Sequence, residues 1–238
     1  MGKNVLIIGA SGDIGSKIAT QLGKEGYSLI LHYNQNEKAI ETLQNKIPTG
    51  AILDTIKANL ATDEGIKSLL KGIFYPIDSI VFSSGIAYYG LFQDTPEPIM
   101  DEMLSIHVKA PFSIVKEILP EMIKRKSGKI ILISSIWGEV GASNEVLYSA
   151  VKGAQNSFVK SLSKEVGPSG IVVNAVSPGF IETKMNPLTV EEKEYLVDDI
   201  PLNRAGRPQD VADAVSFLLS DKAAYIHGEI LRITGGWD

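Results

Sequence analysis

The chain has 238 residues, 44% of them hydrophobic and 21% charged, enough material for one large core. Its net charge of −5 argues against a general nucleic-acid binder, whose affinity comes from cations that neutralise phosphates. With no cysteine and only His32, His107 and His227, widely spaced, the chain excludes disulfides, thiolate catalysis and cysteine-ligated zinc, and no metal site is expected.

The first residues lead straight into an apolar strand, which predicts no secretory leader, and Leu6 breaks the pattern for myristoylation. No apolar run reaches the ~18–20 residues of a membrane span, and the lack of cysteine fits a reducing, cytoplasmic setting. Strands are predicted at 4–8, 28–33, 52–58, 79–82, 129–134, 171–176 and 229–233. Helices are predicted between them at 13–24, 37–46, 63–71, 98–126, 145–165 and 208–219. Strands this apolar, separated by helix-length inserts, predict an α/β fold: a single-domain, doubly wound, Rossmann-type parallel sheet of about seven strands with helices on both faces. Such a sheet takes its ligands at the carboxyl ends of the strands. No repeat or linker divides residues 1–238. The polar, acidic stretch 182–202 breaks the rhythm and reads either as a substrate lid or as a solvated surface helix and loop.

Gly9-Ala10-Ser11-Gly12-Asp13-Ile14-Gly15 joins the first strand to the first helix. Glycines there permit a tight turn and close backbone approach to a pyrophosphate, with the helix amides and dipole behind it. Position directly after the first strand favours dinucleotide binding over simple packing. Further on, Tyr148 and Lys152 stand at i and i+4, on one helix face and about 5–6 Å apart. A free phenol has a pKa of about 10, and a nearby ammonium draws it down toward a usable acid or base. Ser135, thirteen residues earlier, can offer a hydroxyl to the same substrate oxygen. Tyr-x-x-x-Lys also arises by chance on amphipathic helices, so the pair gains its meaning from the glycine turn.

Taken with Asn174-Ala175-Val176-Ser177-Pro178-Gly179 and the tail from Tyr225 to Gly236, these motifs fall in the order and spacing of the short-chain dehydrogenase/reductases. The chain resembles that family over nearly its whole length, and within it is most similar to bacterial 3-oxoacyl-[acyl-carrier-protein] reductases. The resemblance implies reduction of a ketone to a secondary alcohol by hydride transfer. It gives Ser135 the task of polarising the carbonyl and Tyr148 that of protonating it. Lys152 would hold the nicotinamide ribose and lower the phenol's pKa. Cofactor contacts are implied for Gly9, Ser11, Gly12, Asp13, Ile14 and Gly15, for Asn34, Asn59 and Leu60, for Gly85, and for Tyr148 and Lys152 themselves. Pro178, Gly179, Ile181 and Thr183 would flank the nicotinamide. A homotetramer is also implied, with Trp237 packed either against a neighbouring subunit or within its own chain.

Three positions depart from the family pattern. Asp13 replaces a glycine and should repel pyrophosphate unless its carboxylate turns away, for example to cap the first helix. Ser83, in Phe82-Ser83-Ser84-Gly85, replaces an asparagine and must supply its structural hydrogen bonds. His107 replaces the catalytic asparagine that helps hold a relay water behind the lysine. It can keep that water through its backbone carbonyl, join the relay itself, or only fill space beside a helix kinked near Pro111.

The second strand ends Leu31-His32-Tyr33-Asn34-Gln35-Asn36, with no acid before Glu37, so NADPH is expected over NADH. Ser11, Asn34 and Asn36 would hold the 2′-phosphate through neutral hydrogen bonds. Two enzymatic substrates remain open. One is a 3-oxoacyl group on acyl carrier protein, docked by Lys124-Arg125-Lys126 and Lys129, although those cations equally suit a helix C-terminus. The other follows from the stretch from Ser135 to Tyr148, which resembles a branch of the family that reduces a 5-aminopentanone group on elongation factor P. There Glu139 or Glu145 would meet the substrate's ammonium, although Glu145 also suits a helix N-terminus without any ligand. A non-catalytic cofactor-binding regulator is the third reading, against which the intact Ser135, Tyr148 and Lys152 stand.

Overall fold

The computed structural model describes residues 3–185 and 189–237. In chain order the elements begin with β1 (Asn4–Ile8), α1 (Asp13–Lys24), β2 (Ser28–Tyr33), α2 (Glu37–Gln44), β3 (Ile52–Lys57) and α3 (Asp63–Lys71). Then come β4 (Ser79–Phe82), α4 (Glu97–Leu104), α5 (Ala110–Arg125), β5 (Gly128–Ile133), α6 (Trp137–Val140) and α7 (Val146–Val166). The chain closes with β6 (Ile171–Pro178), α8 (Val190–Asp198), α9 (Pro208–Leu219) and β7 (Ile230–Ile233). The strands form one parallel sheet in the order β3-β2-β1-β4-β5-β6-β7. No helix among the described residues is long and apolar enough to cross a membrane.

The sheet is covered on both sides because alternate strand residues are apolar in both directions. Leu6, Ile8, Ile130 and Leu132 pack with Leu69 of α3, Ile114 of α5 and Val159 of α7. Val5, Ile7, Ile131 and Ile133 face the other way, against Ile18 of α1, Leu43 of α2 and Val215 of α9. Local chemistry sets the helix starts: Thr62 caps α3 through the Gly65 amide, and Thr189 and Glu192 form a reciprocal box at α8. Asn36 is spent in the same way, its side chain accepting from Ala39 N–H at the start of α2, and is therefore not directed at a phosphate.

The helix expected over 98–126 is three pieces, with a π turn over Ser105–Lys109 between α4 and α5. The cause lies in Pro111. It has no N–H for the carbonyl of His107, four residues earlier, and its ring presses on that carbonyl. The backbone widens instead, and the Ala110 amide reaches back five residues to Ser105.

The strand order reverses between β1 and β4, which opens a crevice at their carboxyl ends. The chain crosses it on minimal backbone. Gly9 has φ +86°, and a Cβ there would lie 2.6 Å from backbone atoms of Ser84. Ser83 fastens the other side, its Oγ donating to the Ile8 carbonyl at 2.8 Å.

Candidate active site

The crevice continues into a cavity of about 500 Å³. Ser135 reaches it from the end of β5, and Tyr148 and Lys152 from the first turns of α7. The Ser135 hydroxyl is a hydrogen-bonding neighbour that acts on the phenol. The Lys152 ammonium sits 5.5 Å from the centre of the Tyr148 ring. Its Nζ donates to the Ile133 carbonyl at 2.8 Å and to Gln155 Oε1 at 3.3 Å.

Burial dominates the electrostatics. The Tyr148 phenol is pushed up to about 12 by burial and then by the Glu145 charge, with the Ser135 hydrogen bond acting the other way. The expected lowering by Lys152 is absent from this state, because the ammonium is turned toward Ile133 and Gln155. The phenol is thus held protonated, the form that can donate. Burial brings the Lys152 ammonium down to about 7.

His107 is fully buried at the back of the same cavity, edge-on to the Tyr148 ring at 5.7 Å. Its Nε2 lies 3.1 Å from the Ile86 amide nitrogen and 2.9 Å from the Ile86 carbonyl, while Nδ1 has no hydrogen-bond partner. Gly85 makes room for it, since a Cβ there would stand 2.7 Å from the imidazole. The His107 carbonyl, one of the candidates for holding a relay water, accepts from Gln155 Nε2 at 2.8 Å.

His32 is a second buried imidazole, and sequence reasoning assigned it no task. Its Nδ1 accepts from the Gly9 amide at 3.2 Å and its Nε2 pairs with the Ala58 carbonyl at 3.0 Å, which ties the glycine turn to β2 and the end of β3. The strand register could have suggested it, since His32 pairs with Ile8, the residue before the turn. Burial lowers His32 to about 4 and His107 to about 3, so both are neutral in the folded chain and take up protons on unfolding. Their stabilising contribution is complete above pH ~6.5 and is lost as pH falls from there toward about 4, each tenfold difference in proton affinity being worth about 1.4 kcal/mol. The melting temperature is therefore expected to drop between pH 6.5 and 4, before most carboxylates titrate. A flat profile over that window would show that these imidazoles are not held neutral.

Of the residues expected at the cofactor, Ile14, Gly85, Tyr148, Lys152, Pro178, Gly179, Ile181 and Thr183 all line this cavity. Ser11 and Gly12 lie in the turn after β1, Asn34 directly after β2, and Asn59 and Leu60 just after β3, so they follow the strand ends outward. Gly12 begins α1 without any side-chain cap, which leaves the first amides of the helix for an anion. Gly15 is buried one turn into α1. Asp13 does not cap that helix; its Oδ2 accepts from the Lys184 amide at 2.7 Å. The turned-away carboxylate, the uncapped amides and the glycine cradle together fit a nicotinamide dinucleotide.

The two acidic candidates separate. Glu139 is held by Ser177 Oγ at 3.0 Å and by Arg232 at 2.9 Å, and is not among the residues lining the cavity. Glu145 lines it, near Tyr148, with Tyr88, Tyr89, Trp137 and Trp237 around the same space. Burial raises the Glu145 carboxyl, against a hydrogen bond from Trp137. Trp237 packs within its own chain, 5.0 Å from Trp137 in an edge-on contact. The expected basic patch is partly committed: Lys129 Nζ caps α9 through the carbonyls of Leu219 at 2.9 Å and Ser220 at 2.6 Å, and Arg125 bonds the Ile77 carbonyl.

Known proteins carry the same pattern. A family model described as enoyl-(acyl carrier protein) reductase matches residues 9–238. The uncharacterized oxidoreductase YmfI of Bacillus subtilis (strain 168) is 49% identical, over 100% of this chain and 99% of that protein. The 3-oxoacyl-[acyl-carrier-protein] reductase FabG of Staphylococcus epidermidis is 34% identical, over 99% of both. Among solved structures, the angucycline C-6 ketoreductase LanV with bound NADP superposes with a TM-score of 0.91 at 29% identity, covering 98% of this chain and 95% of that one. With fold, motifs and matches in agreement, the chain is an oxidoreductase that belongs to the short-chain dehydrogenase/reductase family.

Proposed function

We propose that the chain reduces a ketone to a secondary alcohol with NADPH, and that its substrate is an amino ketone carried on a protein, of the 5-aminopentanone kind on elongation factor P. When bound, the nicotinamide supplies the hydride. Negative charge then builds on the carbonyl oxygen, where the Ser135 hydroxyl stabilises it and Tyr148 hands over its proton. Lys152, in its protonated form, places a positive charge behind the phenol and anchors the cofactor's ribose. NADPH is favoured because β2 ends in Tyr33 and is followed by Asn34, with no carboxylate before Glu37 to repel a 2′-phosphate. The likeness to an NADP-bound ketoreductase supports the same choice.

The substrate assignment rests on Glu145. A half-buried carboxylate in an aromatic-walled cavity is costly unless a cation meets it, and aromatic faces attract cations as well. An ammonium at the far end of a short ketone satisfies both, whereas an acyl chain leaves the carboxylate unpaired. Thr183, Met185 and Leu196 also line the cavity, which supports the stretch 182–202 as a lid; residues 186–188 lie outside the described ones.

The likeness to FabG favours a second reading, 3-oxoacyl groups on acyl carrier protein. Lys124 and Lys126 are exposed for such docking, but in one chain they lie at the amino end of β5, opposite the cavity. Comparison of NADPH consumption with 5-aminopentanone-modified elongation factor P and with a 3-oxoacyl-carrier thioester separates the two. Glu145→Gln is expected to lower kcat/KM for the amino ketone roughly tenfold or more, about 1.4 kcal/mol, and to spare the thioester. Equal behaviour of both substrates with both proteins would remove the amino-ketone assignment.

A further inference from the structure

The Pro111 that opens the π turn strips the His107 carbonyl of its helical donor, and a buried carbonyl must find another. Gln155 provides it. This side chain is 2% exposed, and it lies three residues after Lys152, on the same face of α7. Its Nε2 donates to the His107 carbonyl at 2.8 Å. Its Oε1, fixed in direction by that bond, accepts from Lys152 Nζ at 3.3 Å.

We propose that Gln155 is a positioning residue of this site, an amide strut that spans from the orphaned His107 carbonyl to the Lys152 ammonium and holds that charge behind Tyr148. The strut works because an amide has one donor end and one acceptor end. The carbonyl selects the donor end, so the acceptor end is presented to the ammonium. Few other groups compete for this charge. From β5 the Ile133 carbonyl accepts from Nζ at 2.8 Å, and from α7 the Tyr148 ring lies 5.5 Å away. From the π turn comes the neutral His107 ring, and the Glu145 carboxylate acts on Tyr148 rather than on the lysine. With so little support, loss of one acceptor should be felt directly in how tightly Lys152 holds its proton. An amide also passes no proton along, so the strut fixes the lysine without linking it to the helix carbonyl as a relay.

The kinetic part of this inference rests on the ketone-reductase reading, and the titration part does not. Two substitutions test it. Gln155→Met keeps length and volume but removes both polar ends. Gln155→Glu keeps the acceptor, adds a negative charge and removes the donor. Each is compared with the wild type by following the lysine ε-carbon resonance in the cofactor-free protein, with Lys152→Ala to assign the signal. Gln155→Met is expected to lower the Lys152 midpoint by about one pH unit, a tenfold loss of proton affinity, and Gln155→Glu to raise it at least as far. The alkaline limb of kcat/KM for a β-keto ester should move in the same two directions. If Gln155→Met does not fold, the upward shift in Gln155→Glu decides. Midpoints that coincide with the wild type in a folded variant would overturn the proposal. Shifted midpoints in a protein that reduces no ketone would instead sustain the strut and remove the functional reading.

Discussion

Tyr148→Phe is expected to lower ketone turnover by roughly 10²–10⁴-fold, the usual worth of a positioned general acid, with little change in melting temperature. Phenylalanine retains the ring and therefore the edge-on packing against His107 at 5.7 Å. What disappears is the hydroxyl that neighbours Ser135 and would give its proton to the developing alkoxide. Ser135 remains, so part of the charge stabilisation survives and some turnover should persist. The cofactor's dissociation constant should move little, since the ring of residue 148 and the Lys152 proposed to hold the ribose both remain. Steady-state kinetics alongside a cofactor-binding titration checks this. Near-wild-type turnover in a folded Tyr148→Phe protein would mean that the proton comes from elsewhere.

Gly9→Ala carries the other large effect, through the backbone. The glycine sits at φ +86°, where an L side chain costs about 1–3 kcal/mol of strain. Its new methyl would also meet Ser84 backbone at 2.6 Å, and neither strand can retreat without breaking the β1–β4 ladder. Overpacking of this sort adds about 1–3 kcal/mol more. The melting temperature should fall by several degrees, and nicotinamide-cofactor binding should weaken at least tenfold if the displaced turn is, as proposed, the pyrophosphate cradle. A stable Gly9→Ala protein with unaltered cofactor affinity would show that the crevice floor is softer than its contacts imply.

Much of this was legible in the chain because two periods do not compete. Strands β1, β2 and β4 and helices α1, α3 and α9 lie where short apolar runs and helical spacing place them. The grouping of Ser135, Tyr148 and Lys152 was legible for the same reason, since helix spacing and strand ends fix their neighbourhood. What sequence did not show were interactions that depend on a missing donor or a rotated side chain. A kink near Pro111 is among the sequence expectations, but its form as a π turn needed Pro111 to be weighed against one carbonyl rather than against propensity. The fates of Glu139 and Glu145, six residues apart, differ only because the turn between α6 and α7 sends one to Arg232 and the other into the cavity. The state of the Tyr148 phenol followed burial, which no spacing reports.

A π turn is, in effect, one extra residue wound into an α-helix. Deletion of a single position between Ser105 and Lys109, together with replacement of Pro111, would let α4 and α5 run on as one regular rod, and would rotate one against the other by about 100°. The peptide oxygen of residue 107 would swing off the bearing that Gln155 meets, and the lysine's charge would lose its backing although no charged residue had been touched. The electrostatics of this pocket are thus written partly in helical phase, which makes a one-residue length change here more consequential than most replacements along its walls.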